Sequence, residues 1–215
     1  MKRIPLHYLP VMLLVAVGCY AEFPHEHAIR EIFGCRFDWN AQKLAQVLQN
    51  STWRKQVGLP FVEAAVKCDG IVLDNRYFGE DWDVLLFLSS DISRLLGVRG
   101  SCNFNVKVFK KGRGSESARS LGERLKNSFV VRYGEPCYRK ACSPLGLPLS
   151  EPLPDKCRYE FAWVLEEQVL VLKYDLGEGG ECSLEVLQLV DPIREHLVAR
   201  YGCRPVTNET SSITR

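Results

Sequence analysis

The chain has 215 residues, of which 46% are hydrophobic and 25% charged, with 28 Lys plus Arg against 26 Asp plus Glu. The roughly 194 residues after Ala21 can bury a real core, as one domain or as two small ones packed together. Residues 1–21 hold Lys2 and Arg3 and no acid, so the remainder stands at 26 cations against 26 anions; a near-neutral chain argues against broad electrostatic binding to nucleic acid or anionic membrane.

Residues 1–21 read as a targeting segment, with Lys2 and Arg3 ahead of an apolar run from Leu9 to Gly18. That run is shorter than the roughly 20 apolar residues that span a bilayer, and no later stretch supplies them. Two processing routes fit. Ala16-Val17-Gly18-Cys19 resembles a bacterial lipobox, which would make Cys19 the lipidated N-terminus, although Ala stands where Leu is commoner. A simple signal-peptidase cut after Ala21 would instead leave Glu22 first.

Without Cys19, eight cysteines remain: Cys35, Cys68, Cys102, Cys137, Cys142, Cys157, Cys182 and Cys203. An even number in an exported chain argues for disulfides, with the pairing open. No Cys-x2-Cys or His-x3-His spacing favours zinc, and no Cys-x-x-Cys redox motif is present.

In chain order, His25-Glu26-His27 brings two imidazoles and a carboxylate together, too few ligands for a dedicated site; the preferred reading is an exposed segment, and no metal or cofactor is expected. Ala41, Leu44, Val47 and Leu48 form a helical stripe that Asp38 or Asn40 can cap, ending near Asn50 to Trp53. Val62, Ala64, Val66 and Cys68 alternate with polar positions as a strand, and Asp69-Gly70 turns toward Ile71-Val72-Leu73. Trp82, Val84, Leu86 and Leu88 share one face of a strand whose other face carries Leu85 and Phe87, so both faces should be buried. Phe104, Val106 and Val108 predict the next strand, and Leu121, Leu125 and Phe129 a helix from about Ser115 that stops at Gly134.

Residues 137–156, with Pro144, Pro148, Pro152 and Pro154, read as an extended linker entered through Cys137 and Cys142. Beyond it, Tyr159, Phe161, Trp163 and Leu165 alternate with Glu160, Ala162, Val164 and Glu166; Gln168 to Asp175 and Cys182 to Val190 follow as strands. Asp191 and Pro192 open a helix with the stripe Ile193, Leu197 and Tyr201 and a stop at Gly202.

The two halves match in order of elements, and Arg132-Tyr133-Gly134 echoes Arg200-Tyr201-Gly202, each with a proline close behind. Glycine and proline there are also ordinary helix-stop chemistry, so the recurring order carries the argument. The expected fold is α+β: antiparallel sheets with packed helices, a tandem duplication of a β-meander plus helix unit, each sheet covered by its helix. The expected division is a unit over 22–136, the linker 137–156, a second unit over 157–205 and a disordered tail over 206–215. Parity places Cys68, Cys102, Cys157 and Cys182 among apolar neighbours. Pairing Cys157 with Cys182 would need help from the intervening glycine loop, because first and third strands of a meander lie roughly 9.5 Å apart.

No catalytic motif emerges. There is no Gly-x-Ser-x-Gly, and after the leader only His25, His27 and His196 remain, the last off its helix stripe. Lys110, Lys111, Arg113 and Ser115 form a weak anion-binding candidate, better read as a solvated turn. The carboxylates of Glu80-Asp81-Trp82-Asp83 lack the spacing of a calcium loop. Asn50-Ser51-Thr52 and Asn208-Glu209-Thr210 fit the N-glycosylation pattern but matter only in a eukaryotic secretory route. By elimination the expectation is an exported, disulfide-containing binding or interaction protein of the bacterial cell envelope. Its partner would be a protein, its contact with membrane only a lipid on Cys19, and its place the periplasm, a lipid anchor or the medium. The alternative is an exported hydrolase assembled from dispersed acids such as Glu160, Glu166, Glu167 and the Glu80 to Asp83 group. Converging buried carboxylates with displaced pKa values would favour it.

Overall fold

A computed structural model describes residues 27–49, 52–54, 62–68, 76–104, 113–142, 157–176, 180–191 and 193–202, with backbone alone at 52–54, 62–68 and 113–116. The elements run β1 (Glu31–Ile32), β2 (Cys35–Arg36), α1 (Ala41–Leu48), β3 (Thr52–Arg54), β4 (Val62–Cys68), β5 (Arg76–Tyr77), β6 (Glu80–Asp81), β7 (Asp83–Ser89), β8 (Leu95–Asn103), α2 (Arg113–Tyr133), β9 (Tyr138–Cys142), β10 (Arg158–Val164), β11 (Gln168–Asp175), β12 (Glu181–Gln188) and α3 (Ile193–Tyr201). The class is mixed α+β with antiparallel sheets.

The main sheet is continuous, eight strands in the order β3-β4-β7-β8-β12-β11-β10-β9, with β1-β2 and β5-β6 as two small hairpins. Two separate covered sheets were expected from the sequence; β8 and β12 instead pair antiparallel from Gly97/Leu187 to Asn103/Glu181 and fuse them. One face of this sheet packs α1, α2 and the hairpin rings, with Val84, Leu86, Val98, Leu172, Leu184, Leu121 and Leu125 in one cluster. The other face carries α3, whose Ile193, Leu197 and Tyr201 pack with Phe87, Val169, Val171 and Leu187.

Several local expectations are met. Asn40, not Asp38, caps α1: its Oδ1 accepts from the Lys43 N–H at 2.9 Å, while Asp38 pairs with Arg36. Gly134 and Gly202 follow α2 and α3 at φ +80° and +62°, the left-handed stop that glycine takes without a Cβ penalty. Strand β7 is buried on both faces, as its unbroken apolar run required. Trp163 and Trp82 anchor their indoles on backbone, to the Gly134 carbonyl at 2.8 Å and the Tyr77 carbonyl at 3.0 Å.

Two strands lie where the pattern did not put them. Strand β8, at Leu95–Asn103, ends where the predicted strand would begin, and the Phe104 N–H still bonds the Gly180 carbonyl oxygen at 3.0 Å; the rest of that predicted strand, within 105–112, lies outside the described residues, as do Ile71-Val72-Leu73. Gly97 and Gly100 interrupt the apolar alternation of β8 because close approach forbids side chains there. A Cβ on Gly97 would sit 2.9 Å from the Val186 carbonyl oxygen, and one on Gly100 would overlap the rings of Phe33 and Trp82. Tyr138–Cys142, at the start of the expected linker, is the edge strand β9 paired with β10; Tyr138 lies against Tyr201 at 5.2 Å between ring centroids. No helix among the described residues is long and apolar enough to cross a membrane.

The β7–β8 turn stores strain at Ile92, a β-branched residue at φ +58° and 36% exposed. Asp91 holds the turn, accepting from the Ser89 and Ser93 hydroxyls at 2.5 and 2.6 Å, bonds that push its carboxyl down to about 2. Left-handed backbone costs a non-glycine residue about 1–2 kcal/mol, against about 0.5–1 kcal/mol of extra chain entropy for glycine. Ile92→Gly is therefore expected to stabilise the protein by about 0.5 kcal/mol. Urea denaturation checks it; a lower midpoint would mean the turn does not hold Ile92 in that conformation.

Candidate functional site: a polar basin on the sheet

Alternation along four neighbouring strands sends polar residues to the face that α3 only partly covers. Across β8, β12, β11 and β10 the rows read Arg99, Glu185, Val171, Ala162; then Ser101, Ser183, Lys173, Glu160; then Asn103, Glu181, Asp175, Arg158. Most of these residues line an open basin of about 270 Å³. Alternation is strict on a pleated sheet, so their placement follows from register alone.

The basin's charges are interlaced. Arg99 meets Glu185 at 2.7 Å, Arg158 meets Asp175 at 2.9 Å, and Lys173 meets Glu160 at 3.3 Å. From α3 at the rim, Arg200 reaches Glu160 at 3.4 Å and the Tyr201 hydroxyl donates to it at 3.2 Å. The Arg99 guanidinium also lies 5.2 Å from the centre of the Phe87 ring. With Glu181, four acids face four cations, so the basin holds no net charge and suits neither a polyanion nor a polycation. Burial, and then the Glu160 carboxylate, push the Tyr201 phenol up, leaving it a hydrogen-bond donor at all ordinary pH.

The acids proposed for a hydrolase do not converge. Glu160 faces the basin, Glu166 and Glu167 are exposed on the β10–β11 turn, Glu80 and Asp81 lie in β6, and Asp83 opens β7. The carboxylates with displaced pKa values, Asp38, Asp91 and Glu123, are all held below the usual range, opposite to what a general acid needs. His27 and His196 are exposed; His25, Glu26, Lys110, Lys111, Cys19 and Cys203 lie outside the described residues, and Arg113 and Ser115 are placed only as backbone in the first turn of α2. Among the described residues no three His, Cys, Asp or Glu side chains gather as a metal site.

Cys35, Cys102, Cys142, Cys157 and Cys182 are all buried, while Cys137 is exposed with its Sγ 3.4 Å from the Ala162 carbonyl oxygen. Cys68 is described only as backbone at the end of β4. As in the expected meander, β11 stands between β10 and β12, the strands that Cys157 precedes and Cys182 belongs to, while Cys182 faces Cys102 on β8.

On the opposite face, Tyr174 lies under α2 at Gly122 and donates to Glu123 Oε1 at 2.5 Å, while Lys126 holds Oε2. Burial would raise the Glu123 carboxyl, but bonds from Lys126 and Tyr174 and the charges of Lys126 and Arg119 outweigh it and hold it low. A depressed folded-state pKa contributes stability above the unfolded value, near pH 4.3, that is lost as pH falls through the folded one. Glu123→Gln should therefore show a shallower fall in Tm between about pH 5 and 3. The effect should stay below ~1 kcal/mol, because the carboxylate is 42% exposed. Parallel acid limbs in thermal melts would refute the pairing.

The basin was not found from sequence because its residues come from four strands, one of them unrecognised. The signal was present in Lys173 and Asp175, and in Glu181, Ser183 and Glu185, polar at every second position of strands otherwise apolar. The chain matches no protein-family model, no curated protein and no solved structure.

Proposed function

We propose that the protein is an exported, disulfide-containing binding protein of the bacterial cell envelope that meets a protein partner through the polar basin. The leader-like residues 1–21, with lipidation at Cys19 or cleavage after Ala21 as its two outcomes, support export; the even set of eight later cysteines supports an oxidising compartment. The basin carries the binding reading. It is a rigid sheet surface with arginines, hydroxyls and carboxylates in fixed register and balanced charge, features suited to a polar protein surface of complementary pattern. No specific observation favours the hydrolase.

We also infer a duplication, with its boundary moved from the sequence reading. The strand order β3-β4-β7-β8 is mirrored by β9-β10-β11-β12 about the β8–β12 ladder, with Arg99 and Glu185 near the centre. Helix α1 packs on β4 and α2 on β11 and β12, so each helix belongs with the strands that follow it. The repeating unit is a helix and four strands, and α3, on the other face, is extra. Sequences of relatives aligned half against half test it: correspondence of α1 to α3 rather than α1 to α2 would reject this boundary.

The deciding experiment has two readouts in the native host. Intact mass should show either a lipid adduct on a chain beginning at Cys19 or an unlipidated chain beginning at Glu22; an uncleaved Met1 chain would reject export. A photo-crosslinking residue at Ser183, in the basin, should give a discrete protein adduct that the same residue at Glu195, outside it, does not; equal or absent adducts would reject the basin as the binding face.

A further inference from the structure

We propose that Cys102 and Cys182 are joined by a disulfide that ties β8 to β12. The two residues are direct partners in the antiparallel register of these strands, and both side chains lie in the cluster beneath α2. Directly opposed residues in an antiparallel pair have Cα atoms about 4.5–5.5 Å apart, within the span of about 4.4–6.8 Å that a disulfide bridges. The rivals are placed less well. Cys157 lies beyond β11, Cys142 opposes Arg158, and the Cys35 sulfur lies 3.6 Å from the Phe33 carbonyl oxygen.

The chemistry requires an oxidant, here a small-molecule or protein disulfide of the oxidising compartment. One cysteine thiolate attacks the oxidant's S–S bond and expels one thiolate. The second cysteine thiolate attacks the mixed disulfide and expels the other. Two thiol protons and one electron pair leave the chain, and the oxidant is reduced to two thiols. Timing follows from burial. Cys102 is 4% and Cys182 0% exposed, and burial first, then the neighbouring Cys102 sulfur, pushes the Cys182 thiol up. The folded site therefore disfavours the attacking thiolate and admits no oxidant, so the bond forms before the sheet closes. It fastens the ladder by which, among the described residues, β3-β4-β7-β8 joins β12-β11-β10-β9.

The inference rests on the export reading only for its oxidising compartment, so the test removes that dependence. The whole chain is produced behind a heterologous leader in an oxidising compartment, alkylated without reduction and digested with trypsin. Cys102 is the sole cysteine of peptide 100–107 and Cys182 the sole cysteine of peptide 174–194. The expected result is these two peptides joined in one species that reduction splits. Either peptide recovered alkylated before reduction, or joined to any other cysteine peptide, overturns the pairing, whatever becomes of the native leader. Cys102→Ala and Cys182→Ala should each lower the denaturation midpoint of the oxidised protein by the same amount, and the double variant no further; additive losses would equally overturn it.

Discussion

Gly100→Val is expected to destabilise the protein by about 3 kcal/mol or more, the upper end of what overpacking a core costs. Local preference points the other way: a β-branched residue suits a strand, and removing glycine from one recovers about 1 kcal/mol. Packing decides the sign. Any Cβ at Gly100 would overlap the Phe33 ring and crowd Trp82. Those rings cannot simply retreat, because Phe33 lies 5.2 Å from both Tyr77 and Trp82, and the Trp82 indole N–H is bonded to the Tyr77 carbonyl. Phe33 is itself fixed in a tight turn, at φ +52° beside Gly34 at +72°. The substitution thus lifts both small hairpins off the sheet together. Ser101→Val, one residue along and on the basin face, should change stability by less than ~1 kcal/mol. Combining Gly100→Val with Phe33→Ala should cost less than the two separate losses added together, since the second change vacates the volume the first requires. Equilibrium urea unfolding measures the native chain and all four variants. An unchanged midpoint for Gly100→Val would mean that the rings do not seat on β8.

Those same glycines show where sequence reading stopped. The stripe and stop of helix α3 were legible because they are local, and β11 was recovered at its observed bounds, Gln168–Asp175. Strand β8 was not, since the reason for Gly97 and Gly100 lies in residues far along the chain: Val186 and Leu187 for one, Phe33 and Trp82 for the other. Missing β8 also hid the fusion of the sheets and one wall of the basin, because Arg99 and Ser101 stand on it. Gln168 is a second instance. Its side chain is 5% exposed, accepts from the Ile29 N–H at 2.7 Å and donates to the Ile29 carbonyl at 3.0 Å, so a polar residue in a core strand serves as a strand-like partner for a distant segment. Periodicity reports which face a residue occupies; it does not report what arrives to meet it.

The Arg99–Glu185 pair sets the floor of the basin, and its two halves are expected to be unequal. Glu185 is 10% exposed at its side chain and Arg99 29%. Removing the cation by Arg99→Met leaves a nearly buried carboxylate without its guanidinium, expected to cost about 2–3 kcal/mol, somewhat below the range for a fully buried pair because Arg99 touches solvent. Glu185→Leu leaves a guanidinium that still reaches water and still lies over the Phe87 ring, so about 1 kcal/mol is expected. The double variant Arg99→Met/Glu185→Leu should return to within about 1 kcal/mol of the native protein, because an apolar pair of similar volume avoids the desolvation that the ions incur. The cycle would then show a coupling of about 2 kcal/mol or more. If the pair exists for stability, the double variant should lose it; if it exists for recognition, the double variant should fold as well as the native chain and fail to form the crosslink from Ser183. A stable double variant that keeps that crosslink would leave the pair without a role in binding and shift the recognition surface toward Arg158, Asp175 and the α3 rim.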